Sequence, residues 1–254
     1  MFGKRILIII PHPDDEVVGC TAAIARAQAQ GARIYAIYLG HGCLRREALW
    51  PWQGNGYQKR VARRILEAEC AARFLGITVV GKNTRRAARE IWPQLPDVYE
   101  EVQQAIQLSG PDRLWVPAYE GGNPDHDAVN ALASTIKSVP AFEFSEYHLG
   151  GGCVQSNRFI ERRGGEVVHR LTPAERSMKR IALSLYASEK GNLGSLRLEE
   201  EQIRPLAAYD YSKPPHEGKL WYERFQWVPL RHPRVDYTSC DEVSGAITDF
   251  LRTH

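Results

Sequence analysis

The first half of the chain reads as short apolar runs alternating with longer amphipathic segments. Ile6-Leu7-Ile8-Ile9-Ile10 is an unbroken apolar run rich in β-branched residues, the pattern of a strand buried on both faces of a parallel sheet. Residues 17–30 come next as an Ala-rich helix with Gly31 as its stop, and residues 33–39 as a second strand, which makes a βαβ unit. A loop rich in Gly and Trp spans residues 40–56. The pattern then predicts a helix over 57–75, a short strand over 77–80, and a helix over 97–108. A fourth strand, entered through Pro111-Asp112, runs to Pro117 and leads to a helix over 127–139. Strands and helices alternating in this way predict an α/β fold, a doubly wound and mostly parallel sheet flanked by helices.

Beyond Phe144 the regularity changes. Residues 158–161 and 166–169 flank Arg162-Arg163-Gly164-Gly165, which predicts a β-hairpin. A helix over 173–190 with Thr172 as N-cap comes after it, and then polar, Pro-containing sequence. Within that stretch Trp221-Tyr222-Glu223-Arg224-Phe225 fits an apolar strand packing on the sheet or a segment closing a site. The expected organisation is a single domain over 1–254, with an α/β core of about residues 4–150 and a C-terminal α+β extension of about 151–254.

Composition narrows the function classes. Apolar residues make up 43% and charged residues 25%, near the averages for globular domains, which excludes disordered, collagen-like and disulfide-scaffold classes. A net charge of +3 is too slight to make nucleic acid the partner and leaves a small molecule, with a homo-oligomer open. The five cysteines form no Cys-x-x-Cys pair and are odd in number, which points to a reducing, cytoplasmic setting. The apolar run at residues 6–10 stops at Pro11, too short for a signal-peptide core, and no run is long enough to predict a membrane span.

Candidate chemistry sits where strands end. His12-Pro13-Asp14-Asp15-Glu16 comes directly after the first strand, at the carboxyl edge where open α/β sheets build their sites. Gly121-Gly122-Asn123-Pro124-Asp125-His126-Asp127 stands after the fourth strand in the same way, and a flavodoxin-like strand order would bring the two loops together. His12, Asp15 and His126 then form a two-histidine, one-carboxylate set with coordination left open, the pattern of catalytic zinc. Such a metal acidifies bound water and polarises a carbonyl, and Asp14, adjacent but uncommitted, is placed to act as general base.

These two motifs strongly resemble those of the LmbE-like or PIG-L family of metal-dependent N-acetylglucosaminyl deacetylases. The resemblance extends to Arg64-Ile65-Leu66-Glu67 with Leu75-Gly76, to Pro111-Asp112 with Pro117, and to Lys179, Ala182-Leu183 and Ser188-Glu189, so it covers about residues 5–190. It implies a Rossmann-like fold, Zn2+ (or another divalent ion such as Fe2+) on His12, Asp15 and His126, Asp14 as base, and an N-acetylated amino-sugar substrate. It also implies that Arg64 reaches sugar hydroxyls. Many members carry a histidine where this chain has Asn123, with an aspartate matching Asp125 to orient it. Asn123 donates a hydrogen bond but shuttles no proton near neutral pH, so another group, Asp14, His41 or His216, would supply the acid. An amidase taking a larger acyl group and a non-catalytic sugar-binding relative keep the same residues. A nucleotide-binding module would need Gly-x-Gly-x-x-Gly where His-Pro-Asp-Asp-Glu stands.

Other residues carry plainer readings. Lys59, Arg60 and Arg63 read as a solvated helix face, and Arg85, Arg86 and Arg89 as surface charge. His148, His169, His216 and His232 have no partner spacing. Trp50 and Trp52 fit a sugar-stacking pair or a local cluster in the loop equally well.

Overall fold

The computed structural model describes residues 1–194, 196–224 and 234–254. In chain order the core runs β1 (Arg5–Ile10), α1 (Asp15–Ala29), β2 (Arg33–Tyr38), the short α2 (Pro51–Gly54), α3 (Tyr57–Phe74), β3 (Ile77–Lys82), α4 (Leu95–Ser109), β4 (Arg113–Pro117), α5 (Pro124–Thr135) and β5 (Ala141–Phe144). A two-stranded ribbon, β6 (Tyr147–His148) and β7 (Gln155–Ser156), leads to β8 (Val167–Arg170), α6 (Pro173–Leu185), α7 (Lys190–Leu193), β9 (Glu200–Pro205) and α8 (Cys240–Leu251).

The main sheet has the order β3-β2-β1-β4-β5-β9-β8, parallel through β5 and antiparallel at β9 and β8. The α/β class is as the sequence predicts, but the order is the 3-2-1-4-5 of the dinucleotide-binding fold, not the flavodoxin-like one. Burial explains the difference. All five apolar residues of β1 are fully buried, as a central strand requires, whereas Thr78 and Val79 of β3 face solvent and suit only an edge.

Both faces are covered. Ile6, Ile8 and Ile10 point to the side of α1, α3 and α6; Leu7 and Ile9 point to the side of α4, α5 and α8. Burying those five side chains contributes on the order of 10 kcal/mol. Gly19 lets α1 lie on the sheet, because a Cβ there would stand 2.2 Å from the Phe144 ring.

Several expectations change. The helix after β4 begins at Pro124, not at 127, because Asn123 caps it and Pro124 presets its first φ. No hairpin joins 158–161 to 166–169. Instead β8 pairs with β9, and side chains of β9 occupy the predicted partner segment: Gln202 accepts the Phe159 N–H, and Arg204 donates to the Glu161 carbonyl and covers the Phe159 ring. The helix capped by Thr172 stops at Leu185, where Tyr186 turns inward to bond Glu16. Trp221–Glu223 is a single 3-10 turn rather than a strand, and its Trp221 N–H donates to the Gly121 carbonyl. Phe225 and His232 lie outside the described residues. Strand β9 and helix α8 are additions; the Ser239 and Glu242 capping box was the readable signal for α8. Arg86 is not surface charge: it is buried, pairs with Glu101 and donates to the Leu39 carbonyl.

His169, on β8, is buried against Phe2 and hydrogen-bonded to Arg26. Burial, reinforced by the Arg26 charge, lowers its pKa to about 4. Above pH ~6.5 the imidazole is neutral folded and unfolded alike; between ~6.5 and ~4 only the unfolded chain takes the proton, so stability falls as pH falls. Urea melts at pH 7.5 and 4.5 should show His169→Gln losing about 2–3 kcal/mol less than the unmodified chain over that interval. Equal losses would remove His169 as the cause.

Candidate active site

Because β1 and β4 are neighbours, the turns at their carboxyl ends lie side by side at the edge of the sheet. After β1, Asp14 takes φ +117°, a conformation rare outside glycine. Three contacts hold it there: its N–H donates to Glu16 Oε2 (3.2 Å), and Arg64 Nη2 donates to the Pro13 carbonyl (2.5 Å) and to Asp14 Oδ2 (2.7 Å). Glu16 is itself fixed by the Tyr186 hydroxyl at 2.5 Å. After β4, Gly121 has φ +67°, and a Cβ on Gly122 would stand 2.1 Å from the Tyr147 carbonyl oxygen. Asp127 Oδ1 accepts the N–H groups of Glu120 and Gly121 and folds this loop back on the helix. Asn123 Oδ1 accepts the Asp125 N–H (3.0 Å), which fixes Asp125 and His126 in the first turn of α5.

The result is a buried triangle. His12 Nδ1 lies 3.3 Å from His126 Nε2, which lies 3.3 Å from Asp15 Oδ2; the third side, Asp15 Oδ2 to His12 Nδ1, is 3.7 Å. Donors bonded at about 2.0–2.1 Å in a tetrahedron stand about 3.4 Å apart, so the three atoms fit a tetrahedral ion with a position left open. Together they could hold a metal ion. Behind His12, Nε2 is 2.8 Å from Asp125 Oδ2, and Asp125 also accepts the N–H groups of Arg89 (2.5 Å), Ile91 (3.0 Å) and Trp92 (3.2 Å). A carboxylate behind a histidine fixes its tautomer and ring orientation. Arg89, read as surface charge in the sequence, thus reaches the site through its backbone while its side chain pairs with Asp236.

Negative charge is concentrated here. Asp14, Glu16, Asp125 and Glu146 surround the triangle, which already includes Asp15. Burial, with Asp15 and Glu16 nearby, pushes Asp14 up to about 7 even though Arg64 pulls the other way. Burial also opposes charge on Asp15, but His126 and His12 outweigh it and bring the carboxyl down. For His12, burial is outweighed by Asp125, Asp15 and Asp14, and the pKa rises. Such an excess of buried carboxyls suits a divalent cation.

Arg64 does not extend toward an open cleft. It is 2% exposed, and its guanidinium bonds Pro13, Asp14 and Glu189 and lies over the Tyr186 ring. The matching Glu67 accepts from the backbone and hydroxyl of Ser188, so the Arg64 and Glu67 pair ties α3 to the turn after α6. Of the other acid candidates, His41 is buried, which lowers its pKa, with Nδ1 accepting the Cys43 N–H; His216 turns to the Glu217 carbonyl and the His148 ring. Trp50 and Trp52 stack on each other at 5.2 Å. Sequence reading missed Glu16, Tyr186 and Glu146. Only Glu16 carried a local signal, as the acid completing the first motif.

Known proteins share both the sequence pattern and the fold. The family described as GlcNAc-PI de-N-acetylase, PIG-L, matches residues 7–137. A diacetylchitobiose deacetylase of Thermococcus kodakarensis is 27% identical over 155 residues, 58% of this chain and 55% of that protein, so the match takes in about half the relative's length. A deacetylase of the teicoplanin biosynthesis pathway superposes with a TM-score of 0.61 at 19% identity, over 81% of this chain and 99% of the other. The 4-carboxy-2-hydroxymuconate hydratase of Pseudomonas putida KT2440 superposes at 0.51 and 18% identity, over 82% and 98%. At such identities these two likenesses speak to the fold, which evidently carries more than one chemistry. No described helix is long and apolar enough to cross a membrane.

Proposed function

Since the chain belongs to the PIG-L family, we propose that it is a metal-dependent hydrolase that removes the N-acetyl group from an N-acetylglucosamine-type unit of a glycoside, sugar conjugate or natural product. The observation that carries this reading is the Asp14 carboxylate beside a buried His12, Asp15 and His126 triangle of tetrahedral spacing. Zinc is the ion we assign, since it favours a tetrahedral set of nitrogen and oxygen donors; Fe2+ is the alternative. When bound, the ion supplies Lewis acidity toward a carbonyl oxygen and lowers the pKa of water.

The chain's own residues do the rest. Asp14 uses Oδ1, the oxygen that Arg64 leaves free, to take a proton from the attacking water. Arg64 serves to hold that carboxylate in its strained turn rather than to bind sugar hydroxyls. Asn123 has spent Oδ1 as a helix cap and offers its Nδ2 hydrogens to the substrate. As the C–N bond breaks, the proton held on Asp14 passes to the departing amine, and acetate is the second product. We read the chain as one domain whose C-terminal part extends the sheet through β9 and β8. We place it in the cytoplasm, because all five cysteines are unpaired.

Acetate release from a panel of N-acetylated amino sugars tests the assignment. Activity should disappear on chelation and return with added zinc; activity indifferent to chelation would overturn the metal-dependent reading. Turnover only of longer N-acyl conjugates would select the amidase alternative, and zinc binding without any turnover the sugar-binding one.

A further inference from the structure

We infer that Glu146 is the positioning residue for His126, holding its outer nitrogen as Asp125 holds that of His12. The inference rests on the metal-centre reading and concerns which residues make that centre tight. His126 presents Nε2 to the triangle, which leaves Nδ1 facing away from it. Glu146 Oε1 stands 3.7 Å from that Nδ1. The carboxyl is 2% exposed and lies beside that of Asp15, and neither of its oxygens takes a hydrogen bond from a nitrogen donor among the described residues.

A buried carboxylate without a donor or cation is costly, so its presence calls for an explanation. The backbone around it is pinned: the Glu146 N–H donates to Glu120 Oε2 (3.1 Å), and its carbonyl accepts the Asn157 N–H (2.8 Å). The main chain is therefore fixed at the end of β5, beside the β4 loop, while the side-chain oxygens remain unspent. Nδ1 of His126 is the donor they face. By accepting the Nδ1 proton, Glu146 selects the tautomer whose Nε2 lone pair points at Asp15 and His12. The two histidines are thus supported by different means. Asp125 is locked by three backbone amides and already bonds His12, whereas Glu146, which also neighbours the Asp15 carboxyl, has the His126 Nδ1 as the nitrogen donor it faces.

The test measures zinc affinity by chelator competition on the full chain, with Glu146→Ala, Glu146→Gln and, as comparator, Asp125→Ala. Glu146→Ala should bind zinc about 10- to 100-fold more weakly, as loss of such a partner typically does. Glu146→Gln keeps an accepting Oε1 and should stay within about threefold of the unmodified protein. In the zinc-loaded protein the His126 Nδ1–H should give a slowly exchanging imidazole resonance that survives in Glu146→Gln. Unchanged affinity in the alanine variant, equal loss in both variants, or an Nε2–H tautomer of His126 would each overturn the inference. Absence of zinc binding by the unmodified chain would instead overturn the metal-centre reading. Should the alanine variant fail to fold, the glutamine variant and the tautomer still decide the matter.

Discussion

Asp14→Asn should lower acetate release by about 10²- to 10⁴-fold, the usual range for loss of a positioned general base, while leaving zinc affinity near that of the unmodified chain. The substitution suits the question because asparagine tolerates positive φ better than most residues, so the turn at φ +117° survives. The amide oxygen still accepts from Arg64 Nη2, which stands 2.7 Å from Oδ2. What disappears is proton acceptance at Oδ1. The comparison therefore separates proton transfer from the geometry of the turn. A variant that binds zinc normally and releases acetate at an undiminished rate would remove Asp14 from the chemistry, and His41, buried in the loop after β2, would be the next group to examine.

The second large effect concerns stability. Lys179 and Glu201 are both fully buried, with Nζ 2.8 Å from Glu201 Oε1 and 2.6 Å from the Val18 carbonyl oxygen. Glu201 also accepts the N–H groups of Ala22 and Ala23, so this pair ties α1, α6 and β9 together beneath the site. Lys179→Met should cost about 3–5 kcal/mol, because it strands the Glu201 carboxylate in the core. At about 2–4 °C per kcal/mol for a chain of this size, thermal melts should fall by about 6–20 °C. Adding Glu201→Gln should recover part of the loss, since a neutral amide side chain is cheaper to bury than an unpaired carboxylate. A loss below about 1 kcal/mol for Lys179→Met, far short of the usual cost of breaking a buried pair, would mean that the pair does not hold the layers together. The resemblance that drew notice to Lys179 thus marks a structural residue, not a site residue.

The fold class and the first candidate site residues were legible for a local reason. Ile6 to Ile10 can only be a doubly buried strand, and the proline-stiffened turn at the end of such a strand lies at the sheet's functional edge. His12, Asp14 and Asp15 are therefore placed by their own neighbours, whereas His126 sits in a helix that Asn123 and Pro124 start ahead of the expected residue 127. The hairpin failed for the opposite reason. Residues 166–169 have the composition of a strand, but sequence does not reveal that β9, about 30 residues further on, offers the better partner and that its side chains occupy residues 158–161.

By itself the sequence determined which segments are strands and helices in the core, and singled out two turns as the candidate place for ligands and a base, because those properties stem from period, caps and proline within a few residues. Only the tertiary structure decided the strand order, the commitment of Arg64 to Asp14, and the places of Glu146, Tyr186 and Arg89 around the triangle. Each of those depends on which surfaces are buried against which, and burial both sets side-chain partners and shifts protonation. No span of neighbouring residues encodes that.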